Sequence, residues 1–255
     1  ALAKKYGIED LEISIDRKTG AWISNYEIDL EEEGRILAQA VKQSINVKVR
    51  EAERDRLYEE YELKIGEIVN GTVKRVEYGN VLVDLGRAEA IVRRDEALPR
   101  ESLRQGDRIR AYIVSVKATG PEVILSRSHP NFVHRLFEIE VSEIADGTVE
   151  IKGIAREAGF RSKVAVLSHN NKVDPVGACV GMRGIRVKNI VRELGGEKID
   201  IVRWHDDIKT FVTNSLAPAR LARVDVDEDT RTVKVTVDQD QLSLAIGKKG
   251  QNARL

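Results

Sequence analysis

Two short strings, GMRG from Gly181 and GKKG from Gly247, stand 66 residues apart and occupy the same place in two similar units. Self-similarity at a fixed period confines a chain to folds built from one repeated supersecondary unit. In the first unit TVEIKGIAREAGFRSKVAVLS alternates as a hairpin does, and DPVGACVGMRGIRVKNIVRELGG follows as two short helices around the glycine loop. Asp174 suits the N-cap with Pro175 at the first helical position, Gly195-Gly196 ends the second helix, and KIDIVRW supplies a third strand. In the second unit ARVDVDEDTRTVKVTV is the hairpin and DQLSLAIGKKGQNARL the helix–loop–helix, expected to stop at Leu255 before a third strand. A helical lead-in precedes each: FVHRLFEIEV before the first, IKTFVTNSLA before the second.

A Gly-x-x-Gly turn between helices lets a nucleic-acid backbone come close, because neither glycine carries a Cβ. The helix after the loop aims unpaired N–H groups and its positive end at phosphates. This is the clamp of a KH module, which grips about four nucleotides of single strand. The order hairpin, helix–loop–helix, strand, with a helix in front, resembles the type II KH arrangement. One such loop is weak evidence; two in equivalent context, each followed by cations, are strong. The loops are Gly181, Met182, Arg183 and Gly184 in the first unit, and Gly247, Lys248, Lys249 and Gly250 in the second. Arg183, Lys248 and Lys249 are expected to meet phosphates, with Arg186, Lys188 and Arg254 extending the track. Ile185, Ile190, Val191 and Leu194 are expected in the core, and Val180, Val187 and the hairpin edge beside the bases.

Ahead of the repeat, residues 65–128 read as five short strands: EIVNGTVKRV, NVLVDL, EAIVRR, RIRAYIVSV and EVILSRS. Turn signals separate them at Tyr78-Gly79-Asn80, Gly86, Pro99, Gly106-Asp107 and Gly120-Pro121, a pattern that fits a five-stranded OB-type barrel. Residues 1–64 begin with a helical tail at Ala1–Tyr6 and a hairpin, LEISIDRKTGAWIS, turning at Lys18-Thr19-Gly20. From Arg35 to about Tyr61, Leu37, Val41, Ile45, Val49 and Ala52 recur at helical steps, giving a linker helix roughly 40 Å long. The fold class expected is multidomain α+β and all-β: a small α+β head with a long linker helix (1–64), an OB-type barrel (65–128) and two type II KH domains (129–206 and 207–255). The connections Ser128–Asn131 and Trp204–Lys209 are short enough for a rigid array, and linked modules gain about 10²–10⁴ in affinity over one module.

Charge favours the same reading once it is localised. The 42 basic and 42 acidic side chains cancel overall, yet Pro175–Arg192 holds Arg183, Arg186, Lys188 and Arg192 with no acid, and Gln241–Leu255 holds Lys248, Lys249 and Arg254 with none. Phosphates feel the local field, since screening confines it to about 8–10 Å. Residues 1–64 carry 11 cations against 15 acids, a surplus that suits a protein partner better than RNA. A single cysteine, Cys179, excludes an internal disulfide framework and fits a reducing cytoplasm; it reads as core. No metal-ligand spacing, nucleotide cradle, catalytic constellation or membrane-length apolar run is present, and the polar start ALAKKYGIED lacks a secretory signal. His205-Asp206-Asp207 reads as a turn, and Asp225, Asp227, Glu228 and Asp229 as an exposed hairpin tip. No catalytic residue, metal or cofactor is therefore expected.

The strings DPVGACVGMRG, ELGGEKIDIV, LAIGKKGQNARL and RILAQAVKQ…VREAER resemble the NusA family of bacterial transcription factors across nearly the whole chain. That resemblance implies a polymerase-binding head, an S1-type barrel and two KH domains. It implies a non-catalytic RNA-binding factor that modulates pausing, termination and antitermination in the cytoplasm. The implied partners are RNA polymerase through residues 1–64, single-stranded nascent RNA, and other antitermination factors; a monomer without membrane contact is expected. The chain departs from the family at its short head, where a stretch around Ile28–Gly34 is missing. It departs again at Val81, which stands where S1 barrels commonly show an aromatic, leaving Tyr78 and Tyr112. With less stacking, worth about 1–3 kcal/mol per base, the barrel is expected to rely on charge through Lys74, Arg75, Arg87, Arg93 and Arg94, with Tyr78 beside them. The competing reading is an S1/KH subunit of an RNA-degrading complex; a ribosome-associated KH protein explains neither barrel nor acidic head.

Overall fold

The computed structural model describes residues 7, 9, 10, 12–16, 18, 19, 22–26, 34–99, 101–117 and 122–255. The chain divides into two units, Ala1–Glu59 and Glu60–Leu255. The Ala1–Tyr6 helical tail, residues 28–33 and the Gly120-Pro121 turn lie outside the described residues. In the first unit β1 (Ile13–Ile15) pairs antiparallel with β2 (Trp22–Ser24), Ile13 opposite Ser24, as the alternation predicts. Helix α1 runs Gly34–Glu62, uninterrupted by proline.

The second unit opens with a closed barrel of β3 (Ile68–Glu77), β4 (Asn80–Asp84), β5 (Glu89–Val92), β6 (Arg108–Val116) and β7 (Glu122–Ser126), in the order β3-β4-β5-β7-β6. All neighbours are antiparallel except β5 and β7, which run parallel. Val73, Val83, Val92, Ile113 and Leu125 fill the interior at 1% exposure or less. Val81 also points inward and is buried, so the outward neighbour, the half-buried Leu82, holds the surface position that the sequence reading gave to Val81. On β6 the two-residue alternation breaks at Ala111, Tyr112 and Ile113, all buried. Tyr112 leaves the barrel and joins the core of the next module, against Phe132, Val133 and Leu136.

That module begins with α2 (Pro130–Glu140), started by His129, whose ring accepts a bond from the Asn131 N–H. The short helix α3 (Ser142–Ala145) and the hairpin β8 (Val149–Glu157) and β9 (Arg161–Ser168) follow. Helices α4 (Pro175–Val180) and α5 (Ile185–Glu193) flank the first loop, and β10 (Lys198–Arg203) lies parallel to β9, giving the sheet order β10-β9-β8. Phe132, Leu136, Phe137, Val164, Val166, Cys179, Ile190 and Leu194 form the core, each at 1% exposure or less. Val191 is half-buried, and Ile185, read as core, is 61% exposed because the loop turns the start of α5 outward.

The second repeat comprises α6 (Ile208–Ser215), β11 (Leu221–Asp227) paired with β12 (Thr232–Val237), α7 (Leu242–Ile246) and α8 (Gln251–Arg254). Asp207 caps α6 by accepting from the Thr210 N–H, and His205 accepts from the Asp207 N–H. The His205–Asp207 cluster is thus a capping turn.

Candidate nucleic-acid interface

The two glycine loops have the same backbone. Gly181 stands at φ 70°, ψ 174° and Gly247 at φ 72°, ψ 174°. The third residue is left-handed in both, Arg183 at φ 55°, ψ 22° and Lys249 at φ 55°, ψ 27°, and the closing glycines match likewise. Left-handed backbone is unfavourable for a side chain with a Cβ, so a repeated left-handed cation is a feature of both loops. Space also demands glycine at the first position. A Cβ on Gly181 would lie 2.8 Å from Cγ of Arg186, and one on Gly247 would lie 2.9 Å from the main-chain nitrogen of Asn252.

Arg183, Lys248 and Lys249 are exposed and carry no ion pair among the described residues. Lys188 is exposed too, and its Nζ donates to the Arg183 carbonyl at 3.1 Å, tying α5 back to the loop. Arg186 donates to Glu143 at 2.8 Å and to the Ala178 carbonyl at 2.7 Å, clamping α3 and α4 to α5. Arg254 donates to Glu157 at 2.9 Å beside the Gln251 amide at 3.1 Å. Arg254, then Gln251, hold the Glu157 carboxyl below its ordinary value.

On the barrel, three of the five expected cations lie beside a carboxylate. Lys74 pairs with Glu89 at 2.6 Å, Arg75 with Glu77 at 3.3 Å and Arg87 with Glu60 at 3.6 Å. Arg93 and Arg94 are exposed without an ion pair among the described residues. The Arg94 N–H donates to the Asn80 side chain, and its stem lies 2.9 Å from where a Cβ on Gly79 would stand. Tyr78, 97% exposed at φ 51°, sits in that same turn, so Tyr78, Arg93 and Arg94 come together at one end of the barrel. Tyr112 does not join them. Its ring stacks on His129 at 4.9 Å and 9°, and its hydroxyl accepts from Asn131.

Long-range contacts of buried charged side chains, which sequence reasoning missed, join neighbouring modules and lock the first KH module. Arg127, 2% exposed, donates to both oxygens of Glu101, at 2.8 and 2.7 Å, and to the side chain and carbonyl of Glu193. Arg156 meets the fully buried Glu197, which also accepts from the Gly159 N–H and the Ser162 hydroxyl. Between the repeats, Lys163 donates to the Asn252 carbonyl at 2.6 Å, and burial pushes its pKa down. No local pattern could reveal partners 26 to 89 residues apart. The Cys179 thiol is buried and pushed up to about 12, consistent with packing. Among the described residues no helix is long and apolar enough to cross a membrane.

Models of the S1 RNA binding domain match residues 62–128, of the NusA-like first KH domain residues 127–204, and of the NusA-like second KH domain residues 208–255. Relatives described as transcription termination/antitermination protein NusA include those of Halalkalibacterium halodurans (51% identical, 96% of this chain, 66% of the relative), Bacillus subtilis (47%, 96% and 68%) and Thermus thermophilus (46%, 90% and 60%). The chain thus spans about two thirds of the length of these relatives. With the S1 barrel, the tandem KH repeat and identities of this size along the chain, it belongs to the NusA family.

Proposed function

We propose that this chain is the RNA-reading part of a non-catalytic transcription factor. Single-stranded nascent RNA lies against the two glycine loops and the Tyr78–Arg93–Arg94 end of the barrel. The observation that supports this most directly is the repeated loop itself, one backbone built twice with unpaired cations at Arg183, Lys248 and Lys249. Phosphate needs just such a surface: a close backbone approach and cations not already committed to carboxylates. The factor acts in the cytoplasm as a monomer on bacterial RNA polymerase, held through residues 1–64, and modulates pausing, termination and antitermination, with further antitermination factors as partners. No cofactor enters the account. The decay-complex reading is not favoured, since the relatives named above are described as termination/antitermination proteins.

The test is in vitro transcription with bacterial RNA polymerase on a template carrying a pause site and an intrinsic terminator. Adding the chain should change pause lifetime and the fraction terminated, and charge reversal at Lys248 and Lys249 should remove most of that change. Deleting residues 1–64 should abolish co-purification with polymerase, and labelled RNA incubated with the chain should stay intact. Unaltered pausing and termination, or RNA decay, would sink the proposal.

A further inference from the structure

Where the outer face of β3 and β6 meets the last turn of α5, the barrel holds a cavity of about 690 Å³, lined by no residue of either glycine loop. Strand alternation turns Arg108 and Arg110 outward on β6, with Ile109 and Ala111 inward. Their side chains leave the strand about 7 Å apart. Opposite them on β3 stand Thr72 and Asn70, in register with Arg108 and Arg110, and Asp84 lies across from Thr72 on β4. A Cβ on Gly71 would lie 2.9 Å from the Asp84 carbonyl, so glycine there lets β3 pass close to the end of β4 and brings Asp84 to the rim. Asp84 spends one oxygen on the Gly86 N–H at 2.8 Å. Glu193 of the KH module closes the far side, 3.9 Å from Arg110 and held by Arg127 at 3.1 Å. The side chains of Arg108, Asn70 and Thr72 are exposed and carry no hydrogen bond or ion pair among the described residues.

We propose that this cavity binds a free ribonucleotide, its phosphate toward Arg108 and Arg110 and its ribose toward Asp84 and Glu193. Size and chemistry set the choice. Small-molecule sites span about 300–1,000 Å³, and the rim here is polar. A guanidinium only donates, in a fork that matches phosphate, and an ionised carboxylate only accepts. The occupant must therefore carry an anion at one end and hydroxyl donors at the other. A ribose phosphate does; inorganic phosphate does not. Charge argues against a strand. Two guanidiniums beside two carboxylates leave the lining neutral, whereas a run of phosphates is held by a surplus of cations. The site does not depend on the RNA-binding reading of the glycine loops. A ligand in it touches barrel and KH module together, and so stabilises their junction.

The experiment titrates the isotope-labelled chain with AMP, 2′-deoxy-AMP and inorganic phosphate at millimolar concentration and follows the backbone amide shifts. AMP should move the amides of residues 70–72 and 108–110 and leave both glycine loops unmoved. Removing the 2′-hydroxyl should weaken binding about tenfold, the worth of one hydrogen bond to a charged group, and inorganic phosphate should bind more weakly still. Arg108→Ala with Arg110→Ala changes two exposed side chains and should lower AMP affinity about tenfold or more. The amide spectrum away from the cavity reports that this variant is folded. No shift with AMP, shifts confined to the glycine loops, or equal affinity for AMP and inorganic phosphate would overturn the proposal. So would a 12-nucleotide RNA that moves the cavity amides where AMP does not, since the occupant is then a strand.

Discussion

The Nζ of Lys163 lies 2.6 Å from the main-chain carbonyl of Asn252, 89 residues further along the chain, and burial pushes the lysine pKa down. This contact fastens the helix after the second loop to the central strand of the first KH sheet. Because the folded value lies below the ordinary 10.5, the unfolded chain holds the proton more tightly. Stability should therefore rise with pH from the depressed value up to the ordinary one. Chemical denaturation at a series of alkaline pH values up to 10.5 should show that rise, and Lys163→Met should flatten it. The same substitution strands a buried carbonyl and should cost about 1–3 kcal/mol at neutral pH.

Glu197 gives a larger effect. It is fully buried and accepts from Arg156, Gly159 and Ser162. Glu197→Ala leaves an uncompensated guanidinium, since Arg156 is itself 1% exposed, and should cost about 3–5 kcal/mol in urea denaturation. A cost under 1 kcal/mol would mean that Arg156 escapes to water.

The loop glycines should rank by space. A Cβ on Gly247 would meet the main-chain nitrogen of Asn252 at 2.9 Å, whereas one on Gly250 would meet nothing within 4 Å; both have left-handed φ. Gly250→Ala should cost about 1–2 kcal/mol, the left-handed penalty alone. Gly247→Ala should cost more and weaken RNA binding further. Equal costs in thermal and chemical denaturation would contradict the packing argument.

Free and paired cations should separate in salt titrations. Each free loop cation removed should make the slope of log affinity against log salt shallower by about 0.7. Lys74→Ala and Arg254→Ala should change it far less, because Glu89 and Glu157 already hold those charges. Equal slopes for Lys74→Ala and Lys249→Ala would contradict this ordering.

Much of the architecture was legible because its signals are local. The repeated glycine loops, the Asp174-Pro175 helix start and the alternating barrel strands each lie within a short window, and all appear in the structure. Individual side-chain roles were less legible, because they depend on partners remote in sequence. Arg186 and Arg254 look the same as Arg183 in a basic window, and only Glu143 and Glu157 tell them apart. Tyr112 reads as an available aromatic until His129 and the next module's core cover it. Ile185 reads as core by helical spacing, but the left-handed residues Arg183 and Gly184 restart the helix in a new direction.

The central claim is that the paired loops hold single-stranded RNA. Its most direct test is the affinity of the chain for a 12-nucleotide single strand at two salt concentrations, beside Lys248→Asp with Lys249→Asp. The account predicts salt-dependent binding that the double charge reversal reduces by at least about tenfold, since two phosphate contacts become repulsions. Equal affinity of the two proteins at both salt concentrations would contradict it.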